Sequence, residues 1–300
     1  MLRRYSRRIM SRIHERFKTL YGDRADKCME RLDMAIGRYG VGMGISRPSM
    51  APNERDVVLI TYGDMVTDEG ERPLTTLKTF LDRRGDHAIN TVHILPFFPW
   101  SSDDGFSVID YREVDRDLGQ WKDIEALSEN YTVMADLVLN HVSRKSDWFR
   151  EYVMGTAPAR DYFVEADPEE PDLSRVVRPR SLPLLTRTRT RDGIRHVWTT
   201  FSSDQVDLNF ENPDVLFEFI DILLFFRSQG IRVIRMDAIA YLWKEIGTDC
   251  IHHPMTHEVV KLFRDLMDMI LPDMILLTET NVPHEENVSY FGDGDEAHMV

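Results

Sequence analysis

Short apolar runs alternate with amphipathic segments along most of the chain from residue 57 onwards. The runs have the length and composition of buried strands, and the segments between them carry apolar side chains at helical spacing. Strands are predicted at 57–62, 90–97, 131–140, 231–237 and 274–280. Helices are predicted at 74–83, 123–130, 147–154, 212–230 and 256–270. This alternation predicts an α/β fold whose parallel strands are covered on both sides.

Two α/β architectures fit this alternation, an open doubly wound sheet and a closed barrel. No glycine-rich phosphate loop follows the first strand, which disfavours the doubly wound sheet. Polar residues follow the carboxyl ends of successive strands, where (β/α)₈ barrels build their active sites. Such a barrel needs eight strands, and about five are recognisable before Val300. We therefore expect a TIM barrel truncated after about the fifth strand, in a chain that is a fragment of a longer protein.

One segment precedes the barrel pattern and another interrupts it. Residues 1–50 carry apolar side chains at helical spacing and run into a Gly/Pro/Ser-rich linker at 40–54, which predicts an N-terminal helical extension. The basic start of the chain could alternatively be an organelle transit peptide. Residues 155–206 are rich in Pro, Arg, Thr and Asp and are expected to form an irregular inserted subdomain. The barrel then comprises 51–154 and 207–300.

The charge and composition narrow the class of protein. A net charge of −14 makes nucleic acid and anionic membranes unsuitable partners, because both attract basic surfaces. With 42% apolar residues the chain can bury a sizeable core, and no apolar run reaches the length of a membrane span. Cys28 and Cys250 are too few for a disulfide framework, so a cytoplasmic location is expected. The composition suits an enzyme acting on small molecules, and it leaves the oligomeric state open.

The last two predicted strands end in charged residues, which are costly to bury unless they are paired. Arg235 and Asp237 are two residues apart and face the same side of a strand, so the arginine is expected to keep the aspartate ionised. Glu279 ends the next strand among apolar residues, which favour a neutral carboxyl group. One ionised and one protonated carboxyl group at a barrel mouth are the minimum equipment for cleaving a glycosidic bond.

Four short motifs, in order along the chain, resemble those of glycoside hydrolase family 13, the α-amylase superfamily. They are "DLVLNH" at 136–141, "QVDLNF" at 205–210, "VIRMDA" at 233–238 and "LTETN" at 277–281. The stretches "ITYGD", "VHILPFFP" and "DDGFSVIDY" resemble the sucrose phosphorylase branch, and "RPRSLPLLT" and "WKEIGTDCIH" are most similar to glucosylglycerate phosphorylases. The resemblance implies a (β/α)₈ barrel with an inserted B-type subdomain.

The resemblance also implies a role for each matching residue. Asp237 corresponds to the catalytic nucleophile, Glu279 to the general acid/base, and Arg235 to the arginine that braces the nucleophile. The positions implied to bind the glucosyl group are Asp103, Phe106, His141 and Tyr241. The family's third carboxylate has no counterpart up to residue 300, so the 300-residue chain by itself is expected to be inactive. No metal and no organic cofactor is implied.

The implied activity is retaining transfer of a glucosyl group from a small α-glucoside to inorganic phosphate, giving α-glucose 1-phosphate. The arginine-rich stretch 175–191 could supply Arg178 and Arg180 to bind phosphate or glycerate, or it could be a solvated loop. An α-glucoside hydrolase or an amylosucrase-like transglucosylase would use the same residues, and a non-catalytic truncated barrel is a third alternative. The histidines within 252–257 have metal-like spacing but are expected to be structural or to bind the acceptor.

Overall fold

The structure is a computed structural model that describes residues 7–39, 53–85 and 88–292. Most of the linker predicted at 40–54, together with the ends of the chain, lies outside the described residues. The strands are β1 (Val58–Thr61), β2 (Thr91–Ile94), β3 (Thr132–Val138), β4 (His141–Ser143), β5 (Leu185–Thr190), β6 (Gly193–Trp198), β7 (Gln205–Asp207), β8 (Ile231–Asp237) and β9 (Ile275–Thr278). The helices are α1 (Arg7–Tyr21), α2 (Ala25–Tyr39), α3 (Pro73–Arg84), α4 (Trp121–Ser128), α5 (Asp147–Met154), α6 (Pro213–Ser228), α7 (Pro254–Ile270) and α8 (His284–Val288).

The central sheet is parallel and has five strands in the order β1–β2–β3–β8–β9. A helix lies on each connection between neighbouring strands of this sheet, because parallel strands require a crossover. The order follows the chain except between β3 and β8, where the inserted elements leave the sheet. The α/β class and the five strands read from the sequence are confirmed.

The register of the sheet sets which side chains share the carboxyl edge. Asp136 pairs with Arg235, and Val138 pairs with Asp237. On the other side of β8, the backbone N–H of Glu279 donates to the carbonyl of Met236 at 2.8 Å. The ends of β3, β8 and β9 are therefore level, and the residues that leave these strands emerge at one mouth.

Helix α6 is apolar on almost every side, which is typical of a helix buried between two layers. On one side Phe226 stacks on Phe98 with ring centroids 5.3 Å apart, and on the other Phe217 stacks on Phe17 of α1 at 5.9 Å. The core thus runs from the barrel through α6 to the N-terminal helices. Among the described residues, no helix combines the length and the apolar character needed to cross a bilayer.

The two N-terminal helices pack on the outer helices of the barrel. Ile13 and Phe17 of α1 are fully buried, as their helical spacing in the sequence predicts. Arg16 donates to Asp265 of α7 at 3.1 Å and to Glu258 at 2.9 Å, and Asp265 is almost fully buried. A buried carboxylate with charged donors holds α1 in one position against α7.

The inserted segment 155–206 is more regular than the sequence analysis expected. Strands β5 and β6 form an antiparallel hairpin in which Leu185 pairs with Trp198. Thr188 is buried while Arg187 and Arg189 are exposed, so the run "TRTRT" has the two-residue period of a half-buried strand. The prediction of an irregular segment was wrong here, because threonine alternating with arginine contains no apolar residue to mark the buried face.

Candidate active site

Arg235 and Asp237 occupy the end of β8, on the face that points into the mouth of the sheet. Nη1 of Arg235 lies 3.0 Å from Oδ1 of Asp237, and the same nitrogen donates to the buried Asp136 of β3. Nη2 of Arg235 lies 3.9 Å from Oε1 of Glu279. One guanidinium therefore faces three carboxyl groups from three neighbouring strand ends.

The Asp237 side chain is only 13% exposed, and this burial raises its pKa to about 7. The positive charge of Arg235 lowers this pKa, while the nearby Glu279 and Asp136 raise it further. The expectation that Arg235 keeps Asp237 fully ionised needs correction: the loss of water outweighs the arginine, whose charge is shared among three carboxyl groups. Asp237 thus titrates near neutral pH and changes between a neutral and a nucleophilic form there.

Glu279 follows β9 and is held by a backbone group. Its Oε2 accepts from the backbone N–H of Ala238 at 3.3 Å. Ala238 adopts a left-handed conformation, with φ of 57°, and this turn directly after Asp237 points the N–H towards the glutamate. The carboxyl group faces this donor and Arg235 instead of the apolar surroundings expected from the sequence.

A cavity of about 390 Å³ opens at this mouth, within the size range of small-ligand sites. Of the nine predicted site residues, eight line it; the exception is Arg178. The eight are Asp103, Phe106, His141, Arg180, Arg235, Asp237, Tyr241 and Glu279. The remaining lining residues are Pro179, Phe201, Gln205, Ala238, Ala240, Thr280 and Asn281.

His141 and Asp103 both line the cavity, and Gln205 contacts the two of them. Gln205 Nε2 donates to Asp103 Oδ2 at 2.9 Å and lies 3.1 Å from Nε2 of His141. Asn140 Nδ2 lies 3.2 Å from Nδ1 of His141, and the carbonyl oxygen of Phe106 lies 3.1 Å from Nε2. Burial lowers the pKa of His141, so its ring is neutral at pH 7 and suited to hydrogen bonding with sugar hydroxyls.

The turn that carries Asp103 and Phe106 needs a glycine. Gly105 has φ of 102°, and a Cβ atom at this position would lie 2.9 Å from Pro96. Asp103 itself is left-handed, with φ of 58°, a conformation that aspartate tolerates better than most residues. The backbone of the turn therefore aims Asp103 at the cavity.

Aromatic rings form one wall of the cavity. Phe201 packs against His141 with ring centroids 5.0 Å apart and against Tyr241 at 5.4 Å. The guanidinium carbon of Arg235 lies 5.8 Å from the ring centroid of Phe106. Apolar ring faces beside carboxylates and hydrogen-bonding side chains are the surroundings that a pyranose ring with its hydroxyl groups requires.

Behind His141, a lysine lies among oxygen atoms. Nζ of Lys244 lies 2.6 Å from Oδ1 of Asn140 and 2.9 Å from Oδ2 of Asp207, and both polar partners are fully buried. Burial lowers the pKa of Lys244, and its contact with Asp207 opposes this shift. The described residues contain no group of three His, Cys, Asp or Glu side chains arranged to hold a metal ion. An ammonium group thus neutralises Asp207 beside Asn140.

The two candidate arginines of the insertion lie in different surroundings. Arg180 is exposed and lines the cavity, and within the described part of the chain it has no carboxylate partner. Arg178 donates to the carbonyl oxygen of Leu182, four residues further along, and closes a turn of the same loop. Arg180 is therefore free to meet a ligand, whereas Arg178 holds the loop that presents it.

The three histidines after β8 make structural contacts. Nδ1 of His252 lies 2.9 Å from the hydroxyl of Tyr290, and His257 stacks on the Tyr290 ring with centroids 4.3 Å apart. His253 caps the N-terminus of α7 by accepting from the N–H of Met255, and its other ring nitrogen lies 2.9 Å from Glu245. These contacts tie the loop after β8 to the segment after β9.

Sequence reasoning missed several residues that the structure places at or behind the cavity. Gln205 lies within a quoted motif, yet a lone glutamine carries no charge to signal a site. Phe201 and Lys244 lie in loops whose sequence shows no periodicity. Asp136 begins a quoted motif, but its contact with Arg235 depends on the pairing of β3 with β8. Gln205 and Asp136 are polar residues inside short apolar segments, and sequence alone cannot assign such residues to a partner.

The fold and the site together define the class of protein. Parallel strands with helical crossovers carry paired carboxyl groups, a bracing arginine and aromatic walls at their carboxyl edge, which is the arrangement of a carbohydrate-active (β/α) barrel. The family model for the α-amylase catalytic domain matches residues 85–300. The chain belongs to this family.

Individual relatives share a large part of the chain. It is 57% identical to the glucosylglycerate phosphorylase of Spirochaeta thermophila over 245 residues, which are 82% of this chain and 42% of that protein. It is 47% identical to the glucosylglycerate phosphorylase of Allomeiothermus silvanus over 289 residues, 96% of this chain and 51% of that protein. The crystal structure of sucrose 6F-phosphate phosphorylase from Thermoanaerobacter thermosaccharolyticum superposes with a TM-score of 0.74 at 28% identity, covering 83% of this chain and 52% of that one. The chain thus spans about half the length of the curated relatives it matches.

Proposed function

We propose that this protein is a retaining sugar phosphorylase, a hexosyltransferase that moves a glucosyl group from a small α-glucoside to inorganic phosphate. The observation that carries the proposal is the placement of Asp237 and Glu279 on the two sides of Arg235 in one cavity. Retaining enzymes need their two carboxyl groups about 5–5.5 Å apart, and contact with one guanidinium keeps the two close together. The identity to curated glucosylglycerate phosphorylases supports glucosylglycerate as the donor.

In the first step, an oxygen of ionised Asp237 attacks the anomeric carbon while the bond to the leaving oxygen breaks. Glu279 gives its proton to the departing oxygen, and a β-glucosyl ester on Asp237 results. His141, Asp103 and the Phe106 ring hold the glucosyl group. The low exposure of Asp237 supports this role, because a poorly solvated carboxylate is a stronger nucleophile.

In the second step, an oxygen of phosphate attacks the same carbon from the face that the leaving group vacated. The bond between glucose and Asp237 breaks, and Glu279 takes up a proton where the attacking phosphate carries one. Two inversions give retention, so the product is α-glucose 1-phosphate. The step needs neither a metal nor an organic cofactor.

The anionic acceptor is bound by Arg180 in this proposal. Phosphate and glycerate both carry negative charge, and the cavity already contains Asp103, Asp237 and Glu279. Arg180 supplies a cation that is not committed to a carboxylate of the described chain. Residues 155–206 thus act as an inserted subdomain that selects the acceptor, while the remainder of the barrel carries the chemistry. We place this reaction in the cytoplasm.

The direct test is to incubate the full-length protein with α-glucosylglycerate, and separately with sucrose, in the presence and absence of phosphate. Glucose 1-phosphate formed from glucosylglycerate only when phosphate is present supports the proposal. Product from sucrose alone would keep the phosphorylase activity and change its glucosyl donor. Free glucose released at the same rate without phosphate would contradict the proposal and indicate a retaining glucosidase.

A further inference from the structure

A buried histidine lies behind the nucleophile and has no role in the mechanism above. His93 is the third residue of β2 and is only 3% exposed. It pairs with Met134 of β3, and Asp136, two residues further along β3, points to the same side of the sheet. His93 Nε2 lies 2.8 Å from Oδ2 of Asp136. An ionised carboxylate can only accept, so the imidazole donates from Nε2.

The contact continues from Asp136 to the site. The other oxygen of Asp136, which is completely buried, accepts from Nη1 of Arg235. That same nitrogen lies 3.0 Å from Oδ1 of Asp237. One terminal nitrogen of Arg235 is therefore divided between a structural carboxylate and the nucleophile, and the position of the guanidinium depends on how strongly each one attracts it.

We propose that His93 is a positioning residue for the glucosyl transfer: by donating to Asp136 it limits the pull of that carboxylate on Arg235 and leaves the guanidinium in place against Asp237. The inference rests on the proposed function for its consequence in catalysis. Its physical basis is the buried chain His93–Asp136–Arg235–Asp237.

Removing the imidazole donor would leave one oxygen of Asp136 buried without a partner. The carboxyl group of Asp136 then keeps Arg235 as its charged donor, so it attracts the guanidinium more strongly and draws it from Asp237. The other titratable groups around this chain are Glu279 on the open side of Arg235, and Tyr62 and Tyr111 near Asp136. Tyr111 donates to the carbonyl oxygen of Val138 at 2.6 Å and stays neutral, since burial raises its pKa.

The experiment compares His93→Leu with His93→Gln in the full-length protein. Leucine removes the donor, whereas the side-chain amide of glutamine can place an N–H near the position of Nε2. Thr91→Val is the matched control, because Thr91 lies on the same face of β2 and is similarly buried but hydrogen-bonds to Asn90. The substrate is α-glucosyl fluoride, whose fluoride leaves with little help from a general acid, so the pH profile of fluoride release reports on Asp237.

We expect the acidic limb of kcat/KM for fluoride release to lie near pH 7 in the wild type, where Asp237 titrates. His93→Leu should move this limb up by about half a unit to one unit, and His93→Gln should restore it to within about 0.3 units. Thr91→Val should leave it unchanged. The proposal would be overturned if the acidic limb of His93→Leu lies at the wild-type pH and the activity falls only in proportion to the fraction of unfolded protein. A downward shift would also overturn it, because it would mean that Asp136 takes up a proton instead of drawing Arg235 away.

Failure of the proposed function gives a different result. If the protein hydrolyses glucosides at a rate that does not depend on phosphate, the pH profile of fluoride release still shows the acidic limb. The role of His93 is then tested as before. If the wild type releases no fluoride, the proposed function is contradicted. The ¹³C signal of the Asp237 carboxyl group, assigned with Asp237→Asn, then gives the same pKa comparison without turnover.

Discussion

The burial of Asp237 has a cost in stability. Its pKa rises from 3.8 in the unfolded chain to about 7 in the folded protein, because the folded state must bury the charge. The folded state therefore binds the proton more tightly. The stability that this proton confers is full below about pH 4 and is lost as the pH rises from about 4 to 7. At higher pH the protein carries the whole cost of a buried carboxylate.

Asp237→Asn removes this cost, since asparagine is neutral at every pH. We expect the variant to be more stable than the wild type at pH 8 by roughly 2–4 kcal/mol, with a smaller difference at pH 5. Thermal unfolding of both proteins at the two pH values measures this. Asp192→Asn, at an exposed turn of the insertion, serves as the control and should show no pH-dependent gain. A variant equally destabilised at both pH values would show that Arg235 holds Asp237 ionised after all.

A second prediction concerns the contact between Arg180 and the anionic acceptor. Arg180→Ala should raise the KM for phosphate by about tenfold or more, because a charge-assisted contact to an anion is lost. Fluoride release from α-glucosyl fluoride, which needs no anionic acceptor, should change little. Arg189→Ala removes an exposed arginine from the hairpin and should leave both quantities unchanged. An equal rise in the KM for phosphate in both variants would assign this rise to the loss of overall positive charge instead of to Arg180.

The sequence predicted which residues meet in the cavity better than it predicted whether their carboxyl groups are protonated. Arg235 and Asp237 lie at the end of β8, and Asp103, His141 and Glu279 lie after the ends of other strands of the sheet. Parallel strands bring such positions to one edge. Their roles stay predictions. The balance of burial and charge at Asp237 could not be predicted, because it depends on Asp136 and Glu279 from neighbouring strands as much as on Arg235.

At the scale of elements, Lys244 joins the loop after β8 to the ends of β3 and β7. Its ammonium group contacts Asn140 and Asp207, and Asp207 also accepts from the backbone N–H of Thr200 at 2.8 Å. Strand β7 pairs with β4, so this cluster fixes the point where the insertion returns to the barrel. The same cluster orients Asn140, which contacts His141.

Lys244→Met should destabilise the fold by about 3–5 kcal/mol, because it leaves the Asp207 carboxylate buried without a cation. Adding Asp207→Asn to this variant should recover a large part of the loss, since the uncompensated charge is then gone. Chemical denaturation gives the free energies of unfolding of the wild type, of Lys244→Met, of Asp207→Asn and of the double variant, which together form a double-mutant cycle. Losses that simply add would contradict a direct charge interaction.

The elements themselves were predictable where apolar periodicity is strong. All five strands of the parallel sheet and the helices between them lie where the pattern put them, although β2 ends at Ile94 instead of 97. Pro96 has no N–H to continue the ladder, which explains the early end. The β5–β6 hairpin was missed because the buried residue of β5 is Thr188, between two exposed arginines, and the apolar Val197 and Trp198 are buried only at the end of β6. The ion pairs from α1 to α7 join residues about 250 positions apart.

At the scale of the whole molecule, five barrel strands, the insertion and the N-terminal helices form one continuous core. The net charge of −14 resides on a molecule whose cavity presents Arg180 beside three carboxyl groups. The two arginines of the cavity do not outnumber its three carboxyl groups, so the cavity has no excess of basic residues to attract anions. We therefore expect an anionic acceptor to be bound by direct contact with Arg180.

In the proposed mechanism Asp237 carries the glucosyl group and phosphate removes it. The most direct measurement uses full-length Glu279→Gln with α-glucosyl fluoride, followed by intact-mass and peptide mass spectrometry. We expect one added hexosyl group on the peptide containing Asp237, which persists in buffer and is discharged as α-glucose 1-phosphate when phosphate is added. No adduct, an adduct on another residue, or discharge as free glucose at the same rate without phosphate would contradict it.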